Sequence, residues 1–206
     1  MKKILLTGFG PFGENTVNPS WLAVEATGEV DGYDIRRVRL PVEWGKARDI
    51  LYASIDDFKP DMCLMIGLAA SSDRIRIERV GVNLCGAIRD NMGLYPDMQG
   101  DVPRECRAAD CDVDALFSTF DYAAVKRSLD AVGIPAAYSY SAGTYLCNYV
   151  LFSALLKARL DNRNMKAGFI HVPCVAGHVN DNQPSLPLDT ITLAVMTAMV
   201  HSMGDN

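Results

Sequence analysis

Two segments read as buried strands, KKILLT (2–7), with Ile4, Leu5 and Leu6 in succession, and DMCLMIGL (61–68), apolar almost without interruption. YDIRRVRLP (33–41) reads as a third strand, with Ile35 opposed in phase to charged neighbours. Strands that are apolar on both sides need cover on both faces, so helices are expected above and below the sheet. Between these strands, NPSWLAVEAT (18–27) sets Pro19 at a position suited to the first turn of a helix. EWGKARDILYASIDDF (43–58) repeats apolar residues at helical spacing. The order β-α-β-α-β predicts an α/β fold.

The second half continues the alternation. DYAAVKRSLDAVGIP (121–135) is a helix closed by Gly133 and Pro135, YSY (138–140) a short strand, TYLCNYVLFSALLKARL (144–160) a helix, and AGFIHVP (167–173) a strand. In the terminal segment, Leu188, Ile191, Val195 and Met199 form an apolar stripe that a helix turns toward the core. The irregular stretch 86–118, rich in Gly, Pro and Asp, reads as a long surface excursion. With 206 residues, no repeats and no low-complexity linker, the expectation is one domain over 1–206.

Composition narrows the function. A net charge of −5 argues against a nucleic-acid partner, because such surfaces concentrate Lys and Arg. The apolar runs fall well short of the roughly 20 residues of a membrane span, so the chain is expected to be cytoplasmic. The six cysteines are therefore read as thiols. Cys106, Cys111, Cys174 and His178 lack the paired spacing of a zinc knuckle, and no metal is expected.

Four features carry candidate chemistry. GFGPFG (8–13) satisfies a dinucleotide fingerprint nominally, but Pro11 interrupts it and the next helix signal comes only at Pro19. The alternative is a glycine-hinged loop presenting Phe9 and Phe12 over a strand end, either as walls for a small flat ring or as core packing. In DRIRIERVGVNL (73–84) the apolar phase switches, and Glu78 falls in phase with Val80, Val82 and Leu84. Either Glu78 is buried and needs a partner, or a bulge returns it to solvent, or it forms an ion pair with neighbouring Arg79 or Arg76. His171, in phase with Phe169, is a core histidine or a general base at a strand end. Cys147 is core filling or a nucleophile; if Thr144 caps the helix, Cys147 is its third residue, where free N–H groups favour a thiolate.

TGFGPFG, LPVEW, IRIERVGVN, SAGTYLCN, GFIHVP and PSLPLDTI occur in the order seen in the pyroglutamyl peptidase I (pyrrolidone-carboxylate peptidase) family of cysteine peptidases, which the chain resembles over nearly its whole length. The resemblance implies a three-layer α/β/α sandwich with a mostly parallel, mixed sheet, assembled as a homo-oligomer, tetramer or dimer. It also implies a cofactor-free exopeptidase that removes an N-terminal pyroglutamyl residue from blocked peptides. Cys147 would be the nucleophile, His171 the base and Glu78 its orienting carboxylate, with the Cys147 N–H as an oxyanion donor. Phe9 and Phe12 match the family's aromatic walls, and Tyr145 stands where a Phe is usual. Two departures concern substrate: GLAASS puts Leu68 in the place of a lactam-binding glutamine, and AIRDN is one residue short, displacing Arg89. The rival expectations are a thiol hydrolase of another N-terminal acyl group or small amide, and a non-catalytic binding protein on the same fold.

Overall fold

The computed structural model describes residues 1–13, 16–97, 103–161, 164–179 and 182–204. In chain order its elements are β1 (Lys2–Phe9), α1 (Pro19–Ala26), β2 (Tyr33–Leu40), α2 (Lys46–Phe58), β3 (Met62–Leu68), β4 (Ile75–Glu78), β5 (Val80–Val82) and β6 (Ala115–Phe117). There follow α3 (Tyr122–Ala131), β7 (Ala136–Ser139), α4 (Leu146–Leu160), β8 (Lys166–Val172), β9 (Cys174–Val175), β10 (Ser185–Leu186) and α5 (Leu188–His201). The main sheet runs β2-β1-β3-β8-β4-β7. All neighbouring pairs in it are parallel except β8 with β4.

The uninterrupted apolar strands are central, as two-sided burial requires. Along β3, Met62, Leu64 and Ile66 face one core with α1, α3 and α5, while Cys63 and Met65 face the other with α2 and α4. The α/β/α sandwich is therefore two cores separated by one sheet. In α5, Ile191, Val195 and Met199 are fully buried, as the stripe predicts. No helix among the described residues is long and apolar enough to cross a membrane.

Three expectations need correction. The short strand after α3 is AAYS rather than YSY, since its register is set by β4, with Ile75 opposite Ala136. Helix α4 begins at Leu146, not at Thr144. The stretch 86–118 is no simple surface loop: Asp90 and Ala108 are buried, Cys85 bridges Cys106, and the excursion ends in β6, which pairs with β5. Its residues 98–102 lie outside the described set.

Candidate active site

The site gathers where β1, β3 and β8 end, the edge at which open α/β sheets bind ligands. Glu78 reaches it through β4, which runs antiparallel to its neighbour β8. Because β4 descends beside β8, Arg76 lies opposite His171 at the rim and Glu78 opposite Phe169, two residues deeper. Glu78 is thus wholly buried although its own phase in β4 is charged. Both sequence readings of this carboxylate hold in part. It is buried, and Arg76 Nε stands 3.4 Å from Oε1 as its ion-pair partner. Val80 and Val82, by contrast, are only half-buried, so they do not define the buried phase.

Oε1 of Glu78 also lies 2.7 Å from His171 Nδ1. The imidazole is further held by the Phe169 ring, 4.8 Å between centroids, and Cys147 is close enough to act on its charge. Burial works against a charge on His171, but its neighbours Cys147 and Glu78 outweigh it and push the imidazole up to about 9. A proton placed on His171 is therefore retained at neutral pH.

Cys147 is the second residue of α4, and Tyr145, not Thr144, stands at the cap without contributing a side-chain bond. Thr144 instead fixes the turn before the helix, its carbonyl accepting the Gly86 N–H at 2.7 Å. The first intrahelical bond runs from Tyr149 N–H to the Tyr145 carbonyl, so the amides ahead of it, Cys147's included, have no partner within the helix and can meet an anion. The sulfur is seated over Gly67, where a Cβ would come within 2.8 Å of Sγ and 2.6 Å of Phe169 Cζ. Gly67 pairs with His171 across β3 and β8, so its missing side chain is what lets the sulfur approach the imidazole.

In front of Cys147 opens a cavity of about 230 Å³ lined by Phe9, Phe12, Leu68, Tyr145 and Cys147, with Asn18, Val42, Ala70 and Leu146. That is below the roughly 300–1,000 Å³ of drug-sized pockets and suits a small ring. Its walls are built by packing. At Gly8 a Cβ would fall 2.8 Å from the Ser20 carbonyl, so the glycine lets α1 cross β1 closely. Asn18 caps α1, accepting from Ser20 N–H at 3.1 Å, and donates to the Gly10 carbonyl at 2.9 Å, which shapes the loop carrying Phe12. Tyr145 packs between Phe12, at a tilt, and Trp44, edge to face, and burial, then Asp90 and Cys147, raise its phenol.

The sequence profile described as pyroglutamyl peptidase matches residues 2–204. The chain belongs to the pyroglutamyl peptidase family. It is 34% identical to the pyrrolidone-carboxylate peptidase of Brachyspira hyodysenteriae over 94% of each chain. It is 37% identical to that of Thermococcus kodakarensis over 92% of this chain and 90% of the other. Pyroglutamyl peptidase I from Bacillus amyloliquefaciens superposes with a TM-score of 0.89 at 32% identity, covering 98% of this chain and 97% of the other. The pyrrolidone carboxyl peptidase of Thermococcus litoralis gives the same TM-score at 34% identity over 98% and 93%. These solved structures share the α/β/α fold found here.

Within this family member, seven of the eight residues singled out from sequence cluster: Cys147, His171 and Glu78 in contact, and Phe9, Phe12, Leu68 and Tyr145 around the cavity. Arg89 is not on the cavity wall. Its guanidinium lies over the Tyr95 ring and bonds the Gly93 carbonyl, while its own carbonyl accepts the Tyr145 hydroxyl at 3.1 Å. Cys106, Cys111, Cys174 and His178 form no metal-holding group among the described residues. Sequence reading passed over Gly67, Asn18 and Trp44, whose backbone N–H donates to Asp90 Oδ2 at 2.8 Å and whose Nε1 donates to the Ile88 carbonyl at 2.9 Å. A glycine inside an apolar strand and an Asn before a helix-starting Pro were the available signals for the first two.

Proposed function

We propose that the chain is a cysteine exopeptidase that removes an N-terminal pyroglutamyl residue from peptides, with Cys147, His171 and Glu78 as its working groups. The carrying observation is the continuous contact from Glu78 through His171 to a sulfur at a helix N-terminus facing a small apolar cavity. The lactam ring lies among Phe9, Phe12, Tyr145 and Leu68, its exocyclic carbonyl over Cys147. The thiolate attacks that carbonyl carbon, and the charge passing to oxygen is met by the Cys147 N–H. Collapse breaks the amide bond as His171 gives its proton to the leaving amine. A water then delivers its proton to His171 and its oxygen to the thioester, freeing pyroglutamate and the thiol. Glu78 keeps the imidazole oriented and balances its charge throughout.

A second reading keeps this chemistry with another small N-terminal acyl group. It is favoured by the apolar side chain of Leu68 in the cavity wall. A fluorogenic pyroglutamyl amide separates the two. Turnover is expected, and Cys147→Ala should lower it by at least roughly a thousandfold; turnover surviving that change overturns the mechanism. No turnover, with Cys147 alkylating faster than the other cysteines, selects the second reading. The reading includes a cytoplasmic setting, supported by six free thiols, and self-association, supported by exposed Leu94 and Phe117; sedimentation analysis would measure the latter.

A further inference from the structure

We propose that Cys85 and Cys106 form an oxidation site that closes to an intramolecular disulfide under a peroxide-class oxidant. Cys85 N–H donates to the Cys106 carbonyl at 2.7 Å and Cys106 N–H donates back at 3.1 Å, an isolated antiparallel bridge. Residues exchanging both bonds have Cα atoms about 5.5 Å apart, inside the roughly 4.4–6.8 Å that a disulfide spans. The two thiols also act on each other electrostatically. What remains is an approach of roughly 1–2 Å at Cβ, because a hydrogen-bonded pair sits at the far end of the roughly 4.5–5.5 Å range of opposed residues and a disulfide needs about 3.5–4.5 Å. An isolated bridge supplies it, because neither cysteine belongs to a strand whose ladder would have to break.

Cys106 is half-buried and takes the oxidant, whereas Cys85 is enclosed in the core. The Cys106 sulfur attacks one peroxide oxygen, the O–O bond breaks, and a water leaves behind a sulfenic acid. The Cys85 sulfur then displaces that hydroxyl, forming the S–S bond and releasing a second water. Two thiols lose two electrons and two protons, and the peroxide is reduced to water. Burial, reinforced by Cys106, pushes the Cys85 thiol up to about 12, and burial raises Cys106 as well. The pair therefore stays protonated and closes slowly.

The consequence lies in the segment between them. Ile88 O accepts from Trp44 Nε1 at 2.9 Å, Arg89 O from the Tyr145 hydroxyl, and Asn91 Nδ2 donates to Pro11 O at 2.8 Å. A crosslink from 85 to 106 fastens the buttress of the cavity wall without using Cys147. It does not depend on the substrate proposed above.

The test oxidises the Cys147→Ala protein with hydrogen peroxide, alkylates remaining thiols in denaturant and maps the digest by mass spectrometry. Wild type with Cys147 first blocked by iodoacetamide is run alongside, so that folding of the variant is not a condition. A Cys85–Cys106 peptide that dithiothreitol removes is expected, with two fewer alkylated thiols and a Tm raised by roughly 5–10 °C. Cys106→Ser should show neither change. Recovery of both cysteines as alkylated thiols, or a crosslink between chains, overturns the proposal.

Discussion

Gly67 shows how much of the site depends on a single absent atom. Phe169, fully buried, cannot move away from a new Cβ at 2.6 Å, so the sulfur or the strand must shift instead. Gly67→Ala is therefore expected to cost about 1–3 kcal/mol in urea unfolding and to lower kcat/KM by tenfold or more, because a displaced nucleophile loses its alignment. Unchanged kcat/KM would show that the sulfur does not work from that seat. Leu68 bears on selectivity rather than chemistry. Leu68→Gln supplies a donor and an acceptor to an apolar wall, so the preference for a pyroglutamyl amide over its cyclopentanecarbonyl analogue should rise about tenfold or more. An unaltered ratio would remove this position from lactam recognition. Glu78 marks the limit of reading residues one by one. Its sequence phase left burial and ion pairing as alternatives, and only a neighbouring strand of opposite direction made both true.

At the scale of elements, periodicity located the central strands and most helices because each is buried in a pattern that its own residues carry. The antiparallel course of β4 was invisible, since strand direction is set by long-range pairing rather than by composition. The start of α4 was misplaced for a related reason. Thr144 looks like a cap, but its carbonyl is spent on Gly86 and the chain turns helical only after Tyr145. What anchors that helix end is Asn148, fully buried, whose Oδ1 accepts the Val82 N–H while Nδ2 donates to the Val82 and Leu84 carbonyls, each at 2.9 Å. Asn148→Ala leaves those backbone groups unpaired beside the nucleophile. A loss of about 2–4 kcal/mol by urea unfolding is expected, with a fall in kcat larger than any rise in KM. Wild-type kcat in the variant would mean that β5 does not position Cys147.

Across the whole molecule, the proton on His171 links the site to global stability. Burial opposes this charge, yet Cys147 and Glu78 hold the imidazole at about 9 against an ordinary 6.5, so the folded chain binds the proton more tightly than the unfolded one. The stabilisation is complete below pH 6.5 and is lost as pH rises through 9, amounting to a few kcal/mol by linkage. Buried thiols act with the same sign but in a later window. Burial pushes Cys63 up to about 12, and burial with Cys106 does the same to Cys85, so their contributions fade only above their ordinary value of 9. Urea unfolding followed from pH 6 to 11 should therefore show two successive declines, the first between pH 6.5 and 9. Glu78→Gln removes one of the anions holding the imidazolium and should flatten the first decline while leaving the second. A first decline of undiminished slope in that variant would show that the Glu78 carboxylate does not hold the His171 proton.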